Sequence, residues 1–218
     1  MNSKRMDTIV NSYKIAQKDM ILKIYDDAGY VTIDDFLPQE KALQMLGWYE
    51  KTSWELIDQV RPDHYKHVFA MKTSQLPGPD EAYKAKFDRS KALEQSPEFT
   101  ALFQEYFTPT LKEISRLNLT TFDARCYRMA RGHFYRTHID DYAGAIGLIY
   151  YINPRWCWDW GGLLHVVKDQ DTESIDVIYP KFNRLVLLNH KRFRFPHFIN
   201  EVSEYALTPR YTIVSFCT

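Results

Sequence analysis

His138 and Asp140, separated by Ile139 in the segment YRTHIDDY, carry the sharpest chemical signal in the chain. On an extended strand residues i and i+2 point to one face, so an imidazole and a carboxylate would share one target. A third donor from a second strand would complete a metal site, and His197 in RFRFPHFINEV is the candidate. In that segment Phe193, Phe195 and His197 alternate with Arg192 and Arg194, which turns His197 inward with the phenylalanines. Two histidines and one carboxylate on one face of an ion, with the opposite face open, is the arrangement of non-haem Fe(II) oxygenases. Asp141, expected to face away from His138, is the alternative carboxylate. His133, His165 and His190 are rival imidazoles, but none has a carboxylate two residues away. A lone histidine is more often a hydrogen-bonded core or surface residue than a ligand, so the case rests on the three donors arriving together.

The second signal is Arg210 in LTPRYTIVSF, leading a β-branched strand on which Thr212 shares its face. A buried arginine calls for a carboxylate, because its planar fork donates to two oxygens at once and a charge-assisted contact contributes about 1.5–3 kcal/mol. Arg192 and Arg194 are the fallback cations. Trp156, Trp158 and Trp160 alternate beside Asp159 and are expected either to wall a substrate cleft or to pack their loop onto the core.

These residues need strands to hold them, and the sequence changes character near residue 120 from helical patterns to short β-branched and aromatic runs. Eight strands are expected, at 124–130, 133–140, 145–152, 163–168, 174–178, 184–189, 193–201 and 210–217, with turns at Asn153-Pro154, Gly161-Gly162 and Pro180-Lys181. No helical crossover follows any of them, so the pattern excludes a doubly wound parallel sheet and favours a sandwich or barrel. Upstream, helical spacing appears over 9–27 and again at Ala42, Leu43, Met45 and Leu46, with Pro38 suited to a first turn. Ser96 and Pro97 read as an N-cap and first helical residue. The stripe Phe99, Leu102, Phe103, Tyr106, Phe107, Leu111, Ile114 and Leu117 should then cover a sheet. Tyr30 to Ile33 reads as a short strand, and the polar stretch from Arg61 to Arg89 as an excursion of the lid or binding-loop kind.

The whole chain has 218 residues, with 28 basic side chains balancing 28 acidic ones. Charge of both signs spread along its length offers no footprint for nucleic acid or an anionic membrane. At this length roughly 70% of the unfolded surface can be buried, so a core needs no structural metal. Three scattered cysteines, Cys126, Cys157 and Cys217, fit a reducing, cytoplasmic setting. The first twenty residues mix charge into every turn, unlike a signal peptide, and the longest apolar run, Ile146 to Ile152, is far below the roughly 20 residues that span a bilayer.

From Tyr127 to Phe216 the chain resembles the 2-oxoglutarate and Fe(II)-dependent dioxygenases, most closely their prolyl-hydroxylase-like branch. The resemblance rests on ordered segments: CYRMARGHFYRTHID, IGLIYYIN, a Trp-containing loop ending in GGLL, IYPKFNRLVLLN, then His197 and Arg210. The segment YVTIDDFLPQEKALQML also looks like this branch's strand-to-helix opening. The resemblance implies an α+β fold, a double-stranded β-helix (jelly-roll, cupin-like barrel) flanked by N-terminal helices. One oxygenase domain would span 1–218, with 1–120 as support and lid and 121–218 as core. It implies Fe(II) held by His138, Asp140 and His197, with 2-oxoglutarate and O2 as cosubstrates and ascorbate as an optional reductant. Arg210 would take the distal carboxylate of 2-oxoglutarate, with Tyr127, Tyr151 and Thr212 beside it. The expected activity is hydroxylation of an unactivated C–H bond of an amino acid or a peptide or protein side chain, releasing succinate and CO2. Two departures stand out: the interval from His197 to Arg210 is long for this branch, and Val214 replaces a threonine sometimes used near the cosubstrate. A family halogenase is disfavoured because Asp140 is present. The alternative is a catalytically silent jelly roll that binds a small acid or a peptide; a zinc or manganese isomerase of cupin type would have no use for Arg210.

Overall fold

The computed structural model describes residues 17–58, 85–138, 140, 144–168, 174–190 and 196–218. Of the helix expected over 9–27, residues 9–16 lie outside the described ones and the rest is α1, over 17–28, which ends at Gly29, whose φ of 78° lets its amide bond back to the Tyr25 carbonyl. It leads into strand β1 (Tyr30–Ile33) and then helix α2 (Gln39–Lys51). Pro38 lies one position outside α2, as its N-cap with ψ 134°, and its carbonyl accepts from the Lys41 and Ala42 amides. The helix buries Ala42, Met45 and Tyr49, which recur at the spacing of one helical face.

After one helical turn at Lys91–Glu94, Ser96 caps a longer helix as expected, its Oγ accepting from the Phe99 amide at 3.1 Å with Pro97 in the first turn. This helix is not uniform: Pro97–Leu102 widens into a π-turn, Phe103–Phe107, before continuing as Thr108–Ser115. Pro109 has no N–H to donate to a carbonyl in the preceding turn, so the regular ladder breaks there. The buried face still forms. Phe103 and Phe107 stack with centroids 5.0 Å apart, and Phe107 meets Tyr150 edge-on at 5.2 Å.

All eight expected core strands are present: β4 (Phe122–Met129), β5 (Phe134–His138), β6 (Ile146–Tyr151), β7 (Leu164–Val167), β8 (Ile175–Ile178), β9 (Arg184–Leu188), β10 (His197–Ile199) and β11 (Arg210–Cys217). Two more, β2 (Glu55–Asp58) and β3 (Ala85–Arg89), had no expectation. The last five residues of the stretch read as a polar excursion are thus a strand, lodged between β4 and β5 with Ala85 and Phe87 buried. Alternating apolar and charged residues there were hidden by the polar residues before them; 59–84, including the rest of the expected lid, lie outside the described residues. Strand pairing is antiparallel and runs β1-β9-β6-β11-β4-β3-β5-β10-β7-β8, with β2 on β3. The sheet curls into two walls, β1 to β4 and β5 to β8, joined through β3.

Period-two alternation divides the core. Leu148, Tyr150 and Ile152 from β6 and its exit, Leu185 and Leu187 from β9, and Ile213 from β11 pack outward under the helices. The opposite parity faces the barrel interior: Ile149, Leu188, Arg210, Thr212 and Val214.

Candidate metal centre

β5 and β10 lie side by side with His138 opposite His197 in register, so two distant segments deliver imidazoles to one point. The rings lie 4.3 Å apart by centroid. Asp140 follows just beyond the end of β5, not inside a strand as the sequence suggests, because pairing with β10 stops at His138. Its Oδ1 is 3.5 Å from His138 Nε2 and its Oδ2 is 3.2 Å from His197 Nε2. One donor atom from each of the three lies within 4.8 Å of the others, and this is the single such group among the described residues. The alternative carboxylate, Asp141, lies outside them.

Protonation suits cation binding. The Nδ1–H of His138 can donate to the Arg136 carbonyl at 2.6 Å, which leaves Nε2 with its lone pair toward Asp140. Burial, reinforced by the neighbouring His197, pulls the His138 pKa down to about 4, so the ring is neutral at neutral pH. Burial alone would raise the Asp140 pKa; the imidazoles of His138, His197 and His190 reverse that and hold the carboxyl below its ordinary value. Two imidazoles and a carboxylate are the donor set that non-haem Fe(II) takes.

Arg210 lines the same pocket and is 1% exposed. Its Nη1 is 3.3 Å from Met129 Sδ and its guanidinium stacks over the Tyr151 ring at 4.9 Å, yet among the described residues Nε and Nη2 have no hydrogen-bond partner. A buried cation with two unmet donors is costly unless an anion completes it. A carboxylate such as the distal one of 2-oxoglutarate fits that need. Gly162, at φ 63°, lies behind it, and a Cβ there would come within 3.0 Å of Arg210 Cδ, so the Gly161-Gly162 turn makes room for the arginine.

Of the residues expected beside Arg210, Tyr127 and Thr212 line the pocket. Tyr127 receives a contact from Arg125 Nη1 at 3.4 Å and packs on Phe87 at 4.5 Å. Tyr151 backs the guanidinium from below instead. Val214 also lines the pocket. The tryptophans do not wall it. Trp156 and Trp160 are buried against one another edge-on, and Trp156 Nε1 donates to the Gly161 carbonyl at 2.8 Å. Trp158 is 79% exposed and leans on Tyr179. The loop, with a short 3-10 turn over Trp158–Trp160, thus takes the second of the two expected courses and packs Trp156 and Trp160 onto the core. Arg192 and Arg194 lie outside the described residues.

Sequence reasoning gave no pocket role to Phe87 or Gly147 and set His190 aside for want of a carboxylate two residues away. Phe87 and Gly147 line the pocket, and His190 brings Nε2 within 4.0 Å of Asp140 Oδ2. Nothing local marks His190, since its importance comes from β9 lying beside β6.

Residues 124–218 match the family model described as the 2OG-Fe(II) oxygenase superfamily. A sequence search of curated proteins gives no match. Among solved structures, a prolyl hydroxylase from Trichoplax adhaerens, in complex with a hypoxia inducible factor oxygen degradation domain peptide fragment, superposes with a TM-score of 0.65 at 17% identity, covering 100% of this chain and 93% of that one. A Pseudomonas putida prolyl-4-hydroxylase gives 0.60 at 14%, covering 92% and 97%. The non-heme alpha ketoglutarate dependent epimerase SnoN from nogalamycin biosynthesis gives 0.65 at 11%, covering 93% and 83%. At these identities the likeness establishes the shared double-stranded β-helix. The chain carries, over residues 124–218, a domain of the 2OG-Fe(II) oxygenase superfamily.

Proposed function

We propose that this oxygenase hydroxylates an unactivated C–H bond of an amino-acid unit, with Fe(II) held by His138, Asp140 and His197 and the distal carboxylate of 2-oxoglutarate held by Arg210. One observation carries the reading: a cluster of two histidines and one aspartate and a buried arginine with two unmet donors open into one pocket. Bound iron would supply the activation of O2 coupled to decarboxylation of the cosubstrate. This chain's residues would leave coordination positions open, keep the site dry with Phe87, Ile149, Leu164 and Leu188, and orient the cosubstrate along β11.

Prolyl hydroxylases among the structural relatives support an amino-acid unit, while the epimerase among them means the outcome of oxidation must be measured. The lining favours a unit within a peptide or protein. Its charged and imidazole side chains, among the described residues, are His138, Asp140, His197 and Arg210, all engaged in this reading, which leaves none for the ammonium and carboxylate of a free amino acid.

Anaerobic loading with Fe(II) and 2-oxoglutarate, then O2, should yield succinate stimulated by a peptide whose mass rises by one oxygen. Asp140→Ala should abolish both metal binding and turnover. Succinate formation that no amino acid or peptide stimulates, beside matched oxidation of a lipid or nucleobase, would overturn the substrate class. Absence of iron binding and of decarboxylation would leave a silent binding module.

A further inference from the structure

His190 follows the end of β9 and is buried, with 8% of its surface exposed, on the pocket side of the sheet. Its Nε2 is 4.0 Å from Asp140 Oδ2, the same oxygen that His197 approaches at 3.2 Å. Its ring lies nearly parallel to that of His197, tilted by 13° with centroids 6.4 Å apart. It stands outside the cluster in which all donor atoms approach within 4.8 Å, so it adjoins Asp140 without joining the triad.

A second, independent feature concerns the space that His190 fills. Gly147 begins β6 beside Ile146, in a strand whose other residues are all bulky and apolar or aromatic. A Cβ on Gly147 would lie 2.5 Å from His190 Cε1 and 2.8 Å from its Nε2. Glycine at this position is an entropic cost to a central strand, and what it provides is a notch for one imidazole edge. An apolar side chain in place of His190 would fill the same volume. The notch admits a polar ring whose nitrogen faces a carboxylate.

We infer that His190 is a positioning residue for Asp140: it approaches the carboxylate at Oδ2, whereas His138 stands nearest Oδ1, and Gly147 supplies the room. This rests on the reading that Asp140 is a metal ligand. A ligating carboxylate is free to turn and to offer one oxygen or both. An N–H directed at Oδ2 restrains that turning and so preserves the open coordination positions. At 4.0 Å the contact is electrostatic and longer than a hydrogen bond, which makes His190 a partner of the ligand and not a member of the triad.

The test uses the full chain and Mn(II) alone, titrated without O2 or 2-oxoglutarate and read by the electron paramagnetic resonance of the free ion. His190→Leu should weaken Mn(II) binding by about 10-fold or more, the usual consequence of losing a partner of a metal ligand. His190→Gln keeps an N–H donor and should recover most of that loss. Gly147→Ala, which alters no donor atom, should weaken binding by displacing the ring. Circular dichroism and thermal unfolding of each variant establish that it is folded. Parent-like Mn(II) affinity in His190→Leu, or equal losses in His190→Leu and His190→Gln, would overturn the role. Asp140→Ala separates the two readings: retained Mn(II) binding there would refute the triad itself, whereas its loss beside an unaffected His190→Leu would refute only the inference about His190.

Discussion

Arg210 sets the sharpest conflict between stability and function at the scale of single residues. Burial lowers its pKa, only partly offset by Tyr151, so the folded protein without an anion bears an unpaired cation in its core. Arg210→Met should therefore raise the unfolding temperature of the protein free of 2-oxoglutarate, while weakening 2-oxoglutarate binding at least ~100-fold by calorimetry, as expected when a buried ionic partner is lost. Lysine should rescue binding poorly, since it lacks the planar fork. A methionine variant that is less stable and still binds would refute both halves. His138 gives a pH signature with a definite sign. Its folded pKa, about 4, lies below the 6.5 of an unperturbed imidazole, so below pH 6.5 the unfolded chain takes up the proton first. Its contribution to stability is full above that value and declines as pH falls toward 4, by about 3 kcal/mol at most. Urea unfolding of metal-free protein at pH 7 and 4.5 should show a smaller difference for His138→Gln than for the parent.

At the scale of elements, caps and turns fix how the helices meet the sheet. Ser96 satisfies one amide at the head of the long interrupted helix, and Ser96→Ala should cost about 1 kcal/mol in urea unfolding with an unchanged m-value. Asn183 has a larger part. It adopts φ 59° between β8 and β9, its Oδ1 accepts from the Leu37 amide and the Tyr150 hydroxyl, and its Nδ2 donates to the Leu37 carbonyl. These bonds tie the approach to α2 onto the strands that carry His190 and Gly147. Asn183→Ala should cost about 2 kcal/mol or more, because buried partners lose their bonds and alanine disfavours that backbone. A loss no greater than that of Ser96→Ala would contradict this account.

At the scale of the molecule, the strands serve two cores at once. Their outward face, with Tyr150, Leu185, Leu187 and Ile213, is sealed by Phe99, Phe103 and Phe107, while their inward face carries the pocket. The helices thus back β6, β9 and β11, the last of which carries Arg210 and Thr212 into the apolar interior. Phe107→Ala should destabilise the protein by about 3–5 kcal/mol, yet leave Mn(II) affinity unchanged while the protein stays folded. A parallel loss of Mn(II) affinity in folded protein would show that the outer core also tunes the site.

What the sequence determined by itself was local and periodic. Short β-branched and aromatic runs bounded by turns marked the eight core strands, alternation put Arg210 and Thr212 on one face, Ser96 and Pro97 marked a helix start, and His138 and Asp140 marked a metal-binding pair. Each depends on neighbours in the chain, whose geometry the peptide backbone dictates. Other features arose only when distant segments packed. β3 became a central strand because β4 and β5 flank it, although the polar run before it suggested a loop. The tryptophan loop took a 3-10 step and packed Trp156 and Trp160 against one another behind the pocket lining. His190 carried no signal of its own, since its meaning lies in a 4.0 Å approach to Asp140 and a notch at Gly147, contacts between segments that no local spacing encodes.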